Sequence, residues 1–451
     1  MAIGGTIAAV LVVVAMARSG FQSPAVRDLD EKVLRAYAGP YAWGSGGFVY
    51  LQLWNEFSGF EKPPQLVAFD EDGLVRVLYP TGDDQFFAGP GAAVSGSVEA
   101  RIRFQRDSAG KVTALVWERS GDPPRTARRV ESEKHEDVRF ANGDVRLAGT
   151  LISPPSGDRH PAVILVHGSG AEDRQYVLPF ARFLVRRGIA VLGYDKRGVG
   201  ESSGDWKTAS FGVLAGDVSA AFDYLKTRSD IDPAQIGLLG ISQAGWVMPL
   251  AAVRANGLAF LISISGAAIP AAETTIDQAR NEMTAAGMKP ETVAEIVAVM
   301  KLQYQFARTG QGWDDYAAAR SGLAARIGRP PDAIPGTPDH PSWQSIRQWY
   351  FYDPALTLRQ LTVPVLAMFG ELDMNIVAEK NRAAWETVLK AGGHRDYTLR
   401  ILPKANHYQW EAKTGSNAEM ASLQRFVPEY FKTIEDWLTK RVRGFGAAPA
   451  R

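Results

Sequence analysis

No cysteine occurs anywhere in this chain. Disulfides, thiolate metal sites, a cysteine nucleophile and a lipidated N-terminal cysteine are thereby excluded. Charge of one sign is lacking as well. The 50 Lys and Arg stand against 49 Asp and Glu, a formal net charge of +1, so no basic field argues for a nucleic-acid partner. Histidine is scarce, with six in 451 residues. The apolar stretch at the start, "MAIGGTIAAVLVVVAMARSG", ends at Ala17 and is short for a spanning helix, which needs roughly 20 residues. Ala15, Met16 and Ala17 fit a small-residue cleavage site, although no Lys or Arg precedes the run. Residues 1–17 are therefore expected to be an export signal, with a membrane anchor as the alternative. The product is expected to be periplasmic or secreted, touching a membrane only through that segment.

A chain of 451 residues is too long for one ordinary domain. Residues 22–130 read as all-β. The runs 48–54, 66–70, 74–80, 97–105 and 111–119 are strand-like, with "DEDG" and "RDSAGK" as turn signals. The charged stretch 125–139 reads as a linker. Asn142-Gly143 is a hairpin signal between two strands over 140–151. Then the pattern changes. "AVILVHG" and "IAVLGYD" are continuous apolar runs, as in strands covered on both faces. They alternate with helical spacing over 176–188 and 211–228, and strands recur at 236–242, 259–266, 363–370 and 397–403. This alternation predicts a doubly wound, mostly parallel α/β sheet over 136–441. It stops at about 269–352, where helical spacing over 291–307 (after Pro290) and 314–328, and an aromatic-rich segment at 342–354, predict a helical insertion.

One stretch carries the chemistry. In "GLLGISQAGW" an apolar strand delivers a single serine, Ser242, between Gly240 and Ala244. A strand turning sharply into a helix exposes the hydroxyl and leaves no room for large neighbours. The usual pattern is Gly-x-Ser-x-Gly, and Ala244 is a small departure from it. A serine nucleophile needs a base, and the base needs an orienting acid. Five histidines lie in loops, in the insertion or, for His167, directly after a buried strand. His407, in "LPKANHYQW", follows the last core strand and stands at the same sheet edge as Ser242. Between them "FGELDMN" ends a strand with Glu371 and Asp373, and Asp373 completes the order serine, acid, histidine. "LVHGSG" supplies backbone N–H groups for an oxyanion, with Ser169 and Gln243 as donors and Gly170 as the alternative. His167 is expected to hold that loop rather than to transfer protons. Trp246 and Tyr408 neighbour the nucleophile and base and are candidate pocket residues together with Gly170. The lid aromatics Trp313, Trp343, Trp349, Tyr350 and Tyr352 fit a lining or a plain core.

"VILVHGSG", "YDKRGVGESSG", "GLLGISQAGW", "GELD" and "ANHY", in this order, resemble the α/β-hydrolase superfamily, in particular bacterial carboxylesterases related to serine aminopeptidases. "LRAYAGPYAW" with "RDSAGKVTALVW" resembles a small β-barrel module appended to bacterial serine hydrolases. The resemblance implies Ser242 as nucleophile, His407 as base, Asp373 as acid and the insertion as a cap over the pocket. "DKRGVGES" is a structural loop in that family. The implied activity is hydrolysis of small or medium carboxylic esters with no metal or organic cofactor. The rival enzyme is an aminopeptidase-like serine peptidase, which needs a carboxylate for the substrate amine; Asp314, Asp315 and Glu295 are the candidates in the insertion. A non-catalytic binding protein is the remaining alternative.

Overall fold

A computed structural model describes residues 25–445 apart from 55–63, 71–72, 90–97, 131–132, 156, 158, 176–177 and 328–335. The expected export segment, 1–17, lies outside the described residues. A short helix, α1 (Glu31–Arg35), precedes eight antiparallel strands that close into a barrel in chain order. They are β1 (Gly39–Trp43), β2 (Phe48–Leu53), β3 (Leu66–Asp70), β4 (Val75–Gly82), β5 (Gln85–Ala88), β6 (Ala100–Arg106), β7 (Val112–Arg119) and β8 (Arg125–Arg129). Leu51, Leu53, Leu66, Phe86, Phe104 and Leu115 help fill the interior, so this barrel is a packed core.

Most of the stretch expected as a linker, 125–139, is strand. Arg125–Arg129 closes the barrel, pairing Trp117 with Arg125 on one side and Tyr41 with Arg129 on the other. Lys134–Asn142 is β9, the edge strand of the second sheet. In "RTARR" only Ala127 is buried. Period-2 alternation is there, but four of five residues are polar and the inward one is the smallest apolar type.

The second domain holds an eight-stranded sheet in the order β16-β15-β14-β13-β11-β12-β10-β9. β9 and β10 (Val145–Ser153) form a hairpin in which Asn142 pairs with Val145 as the last residue of β9, so the two turn residues are Gly143, at φ 58°, and Asp144, one position later than the Asn-Gly reading placed them. The parallel part comprises β11 (His160–Val166), β12 (Ala190–Tyr194), β13 (Ile231–Ile241), β14 (Phe260–Ile264), β15 (Val365–Gly370) and β16 (Tyr397–Leu402). Both faces are covered, which explains the continuous apolar runs. Val163 and Leu165 of β11 face α2 (Leu178–Val185) and the closing helix α11 (Glu429–Thr439), while Ala162, Ile164 and Val166 join the core under α3 (Phe211–Lys226), α4 (Ala244–Arg254) and α10 (Ala378–Ala391).

The insertion is four helices, α5 (Ala271–Ala285), α6 (Pro290–Thr309), α7 (Trp313–Ile327) and α8 (Ser342–Trp349), followed by the turn α9 (Ala355–Leu358). Pro290 opens α6. Phe306, Tyr316, Leu323 and Trp343 give the cap its own core. Helix α5 escapes sequence reading because its buried residues are Ala271, Thr274 and Asp277, with no apolar stripe. The cap is tied down at both ends. Lys380 of α10 pairs with Glu273 (2.6 Å) and Asp277 of α5, and Trp349 of α8 donates its indole N–H to the Ala209 carbonyl at 2.8 Å.

The barrel docks on the α/β domain with the outer face of β2 to β5. Tyr50, Phe69, Val77 and Phe87 share one apolar cluster with Phe183 of α2 and Phe431 of α11. Backbone bonds stitch the seam. The Val75 N–H donates to the Gln424 carbonyl and the Phe426 N–H to the Gly73 carbonyl, each at 2.9 Å.

Candidate active site

Ser242 directly follows β13, between β11 and β14 near the middle of the sheet, and leads into α4. It has φ 60°, a left-handed conformation costly for a residue with a Cβ. Its N–H donates to the Ile264 carbonyl at 2.9 Å, which pins the turn to the neighbouring strand. The small neighbours have steric causes. A Cβ on Gly240 would lie 2.4 Å from the Ala244 Cβ and 2.7 Å from the Val166 carbonyl oxygen. A Cβ on Gly245 would lie 2.6 Å from the Gly266 Cα. The close approach that a second glycine usually serves is made here by Gly245, one position later, which is why Ala244 fits.

Asp373 and His407 come from the loops after β15 and β16. Gly370 lets these loops touch, since a Cβ there would meet the Asn406 carbonyl oxygen at 2.3 Å. The two side chains are buried, and the His407 Nδ1 lies 3.0 and 2.9 Å from the Asp373 carboxylate oxygens. An ionised carboxylate only accepts, so Nδ1 carries the proton and Nε2 keeps its lone pair. The Asp373 Oδ1 also accepts the N–H groups of Asn375 and Ile376 at 2.9 and 2.8 Å, which hold its loop. Glu371, the other carboxylate of this segment, is exposed and accepts the Lys404 N–H. Asn406 builds the His407 turn, its Oδ1 accepting from Tyr408 and Trp410 N–H. Gln409, fully buried at φ 65°, donates its Nε2–H to the Ser265 hydroxyl at 3.0 Å and ties that turn to the end of β14.

The glycine-rich loop after β11 is held by charges the sequence reading passed over. Gly168 and Gly170 donate their N–H groups to the Glu172 carboxylate at 2.6 and 3.4 Å. The Gly170 amide is therefore engaged, while Ser169 is an exposed loop residue and Gln243 is buried. Lys196, buried, donates to the carbonyls of Gly168 (2.7 Å) and Gly170 (3.0 Å) and to the Gln243 side-chain oxygen (3.2 Å). Burial lowers the Lys196 ammonium to about 8, against the opposing pull of Glu172, and burial raises the Glu172 carboxyl. His167 Nε2 bonds the Tyr194 carbonyl at 2.5 Å, and burial, with the Lys196 charge adding, lowers it to about 3. Its bond to the Tyr194 carbonyl ties the start of this loop to the end of β12.

The rest of "DKRGVGES" is structural. Asp195 takes Arg174 at 2.8 Å, and Arg197 forms a buried ion pair with Asp217. Tyr408 sits edge-on to His407 with ring centroids 5.1 Å apart. Burial, with Glu172, Asp373 and Glu282 adding, pushes its phenol up to about 12. Trp246, a candidate pocket residue, is buried, stacks on Phe211 and donates its indole N–H to the Ile269 carbonyl. Trp410 packs on Phe426. Asp314 and Asp315 are exposed and Glu295 pairs with Arg326, so none of the three is tied to this site. His160, expected in a loop, is buried at the head of β11, and His135 lies in β9.

The model of the alpha/beta hydrolase family matches residues 163–416, more than half of the chain. The chain belongs to that family. Among curated relatives, this hydrolase is similar to the esterase EstD of Thermotoga maritima, 25% identical over 331 residues that cover 69% of each chain. It is also similar to the quorum-quenching protein AidA of Acinetobacter baumannii, 30% identical over 128 residues, 28% of this chain and 42% of that one. The hydrolase thus spans less than half the length of AidA. Among solved structures, the esterase Pf2001 of Pyrococcus furiosus aligns with a TM-score of 0.44 and 17% identity, covering 69% of this chain and 92% of that one.

Proposed function

We propose that this alpha/beta hydrolase is a serine esterase that cleaves carboxylic esters of small or medium acyl groups through an acyl-enzyme. The reading rests on one observation above the others: a buried Asp373–His407 pair stands at the sheet edge where Ser242 is held at positive φ between strand and helix. The His407 Nε2 lone pair takes the Ser242 proton as the hydroxyl oxygen attacks the ester carbonyl. The carbonyl electron pair moves onto oxygen, and the N–H groups of Ser169 and Gln243 hold that oxyanion. Collapse breaks the bond to the alcohol oxygen, which leaves with the proton from His407. Water, giving its proton to His407, then attacks the acyl carbon, and as the acyl–oxygen bond breaks His407 returns that proton to the Ser242 oxygen, releasing the acid and free Ser242. Asp373 keeps the imidazole in the required tautomer. The apolar run at 1–17 supports export of the enzyme.

The test is Ser242→Ala against a short p-nitrophenyl ester, beside fluorophosphonate labelling of the unaltered protein. Loss of turnover with an unchanged melting curve, and a label on Ser242, are expected. Undiminished turnover by the alanine variant overturns the reading. Faster cleavage of an aminoacyl anilide than of the ester moves the assignment to a peptidase.

A further inference from the structure

We infer that Lys196 is a positioning residue that sets the direction of the Ser169 N–H and ties it to Gln243, so that the two oxyanion donors form one rigid unit. The inference rests on the serine-esterase reading above. Ser169 and Gln243 belong to different segments, after β11 and after β13, and no backbone hydrogen bond between the two residues is seen among the described residues. Lys196 comes from a third, the turn after β12, and its ammonium uses three donors on three oxygens: the Gly168 carbonyl, the Gly170 carbonyl and the Gln243 Oε1.

The consequence follows from peptide geometry. The Gly168 carbonyl and the Ser169 N–H belong to one peptide unit, and in a planar trans unit they point in opposite directions. Holding the carbonyl at 2.7 Å toward Lys196 therefore turns the Ser169 N–H away from it. Glu172 acts on the same loop from the other polarity, taking the N–H groups of Gly168 and Gly170. The loop's amides on either side of Ser169 are thus committed, and its own is left for a ligand. The face of Trp206 lies 4.8 Å from this buried ammonium. A buried cation bonded only to uncharged oxygens is a costly arrangement, and a loop that needed mere packing could be held by an apolar side chain.

Lys196→Met keeps the length and apolar stem while removing all three bonds. With a short p-nitrophenyl ester its kcat is expected to fall about a hundredfold, the scale of a donor misplaced by 1 Å, with KM changed less than about threefold. Affinity for a trifluoromethyl ketone, to which the Ser242 oxygen adds to give an oxyanion, is expected to fall by the same factor as kcat/KM. A purely structural role would leave the ratio of ketone to substrate affinity unmoved. Gln243→Met, which keeps the backbone donor and cuts one bond to Lys196, serves if Lys196→Met does not fold; a kcat loss of about tenfold at constant KM is expected there. Wild-type kcat in a folded Lys196→Met, or in Gln243→Met when the first is unfolded, overturns the inference, as does unchanged ketone affinity. Failure of the esterase reading is separate, since it would show as turnover surviving Ser242→Ala.

Discussion

The two carboxylate oxygens of Asp373 lie 3.0 and 2.9 Å from one nitrogen, the Nδ1 of His407, across 34 residues of chain that hold one helix and one β-strand. The contact settles the tautomer, because a carboxylate facing Nδ1 leaves the lone pair on Nε2. Asp373→Asn keeps the shape and the loop bonds to Asn375 and Ile376 but offers an N–H or a weaker acceptor to the ring. Ester turnover is expected to fall by about four orders of magnitude, the scale reported for a wrong tautomer in such triads. The measurement is kcat at neutral pH beside a thermal melt. A loss below tenfold with the fold intact would remove Asp373 from the proposed mechanism.

Gly245 and Ala244 make opposite predictions. A Cβ on Gly245 would press on the Gly266 Cα at 2.6 Å and its carbonyl carbon at 2.7 Å, backbone atoms that cannot rotate away. Gly245→Ala is expected to cost about 1–3 kcal/mol and to displace the nucleophile turn. Ala244→Gly restores the commoner pattern at a cost below about 1 kcal/mol. Urea melts of the two variants decide, and equal stability would contradict the packing argument.

Acid should weaken the fold through His167. Its ordinary value of 6.5 falls to about 3 in the folded chain, so between those values the unfolded state binds more protons. Stability therefore rises with pH across that window and is lost on acidification, at up to about 1.4 kcal/mol per pH unit. His167→Gln can still donate to the Tyr194 carbonyl and does not titrate. Chemical denaturation from pH 7 to 4 should show a shallower decline for this variant than for the native chain. Parallel curves would show that His167 does not carry the effect.

The barrel should be needed for solubility. Its outer face, with Tyr50, Phe69, Val77 and Phe87, covers Phe183 and Phe431, and Arg186 adds a 2.6 Å bond to the Tyr50 hydroxyl. A chain starting at residue 134 exposes that apolar surface. Aggregation on size-exclusion chromatography is expected, where a monomeric product with a normal melting temperature would refute it.

By itself the sequence determined whatever depends on neighbours along the chain. The change from short strands separated by turn signals to strands alternating with helical segments marks the passage from barrel to parallel sheet, Asn142-Gly143 marks the hairpin, and Gly240, Ser242 and Ala244 mark the turn into α4. The order of Ser242, Asp373 and His407 could be read because strand ends repeat one pattern and that pattern places them on one edge. Tertiary structure alone decided the rest. Whether "RTARR" is strand or linker depends on the open edges of β1 and β7 that it pairs with. Helix α5 has no apolar stripe and is held by Lys380, about a hundred residues away. Glu172 and Lys196 look like surface charges until folding brings the ammonium onto carbonyls 26 and 28 residues distant. Such contacts leave no periodic trace, because each charge is satisfied by single backbone groups rather than by a repeating face.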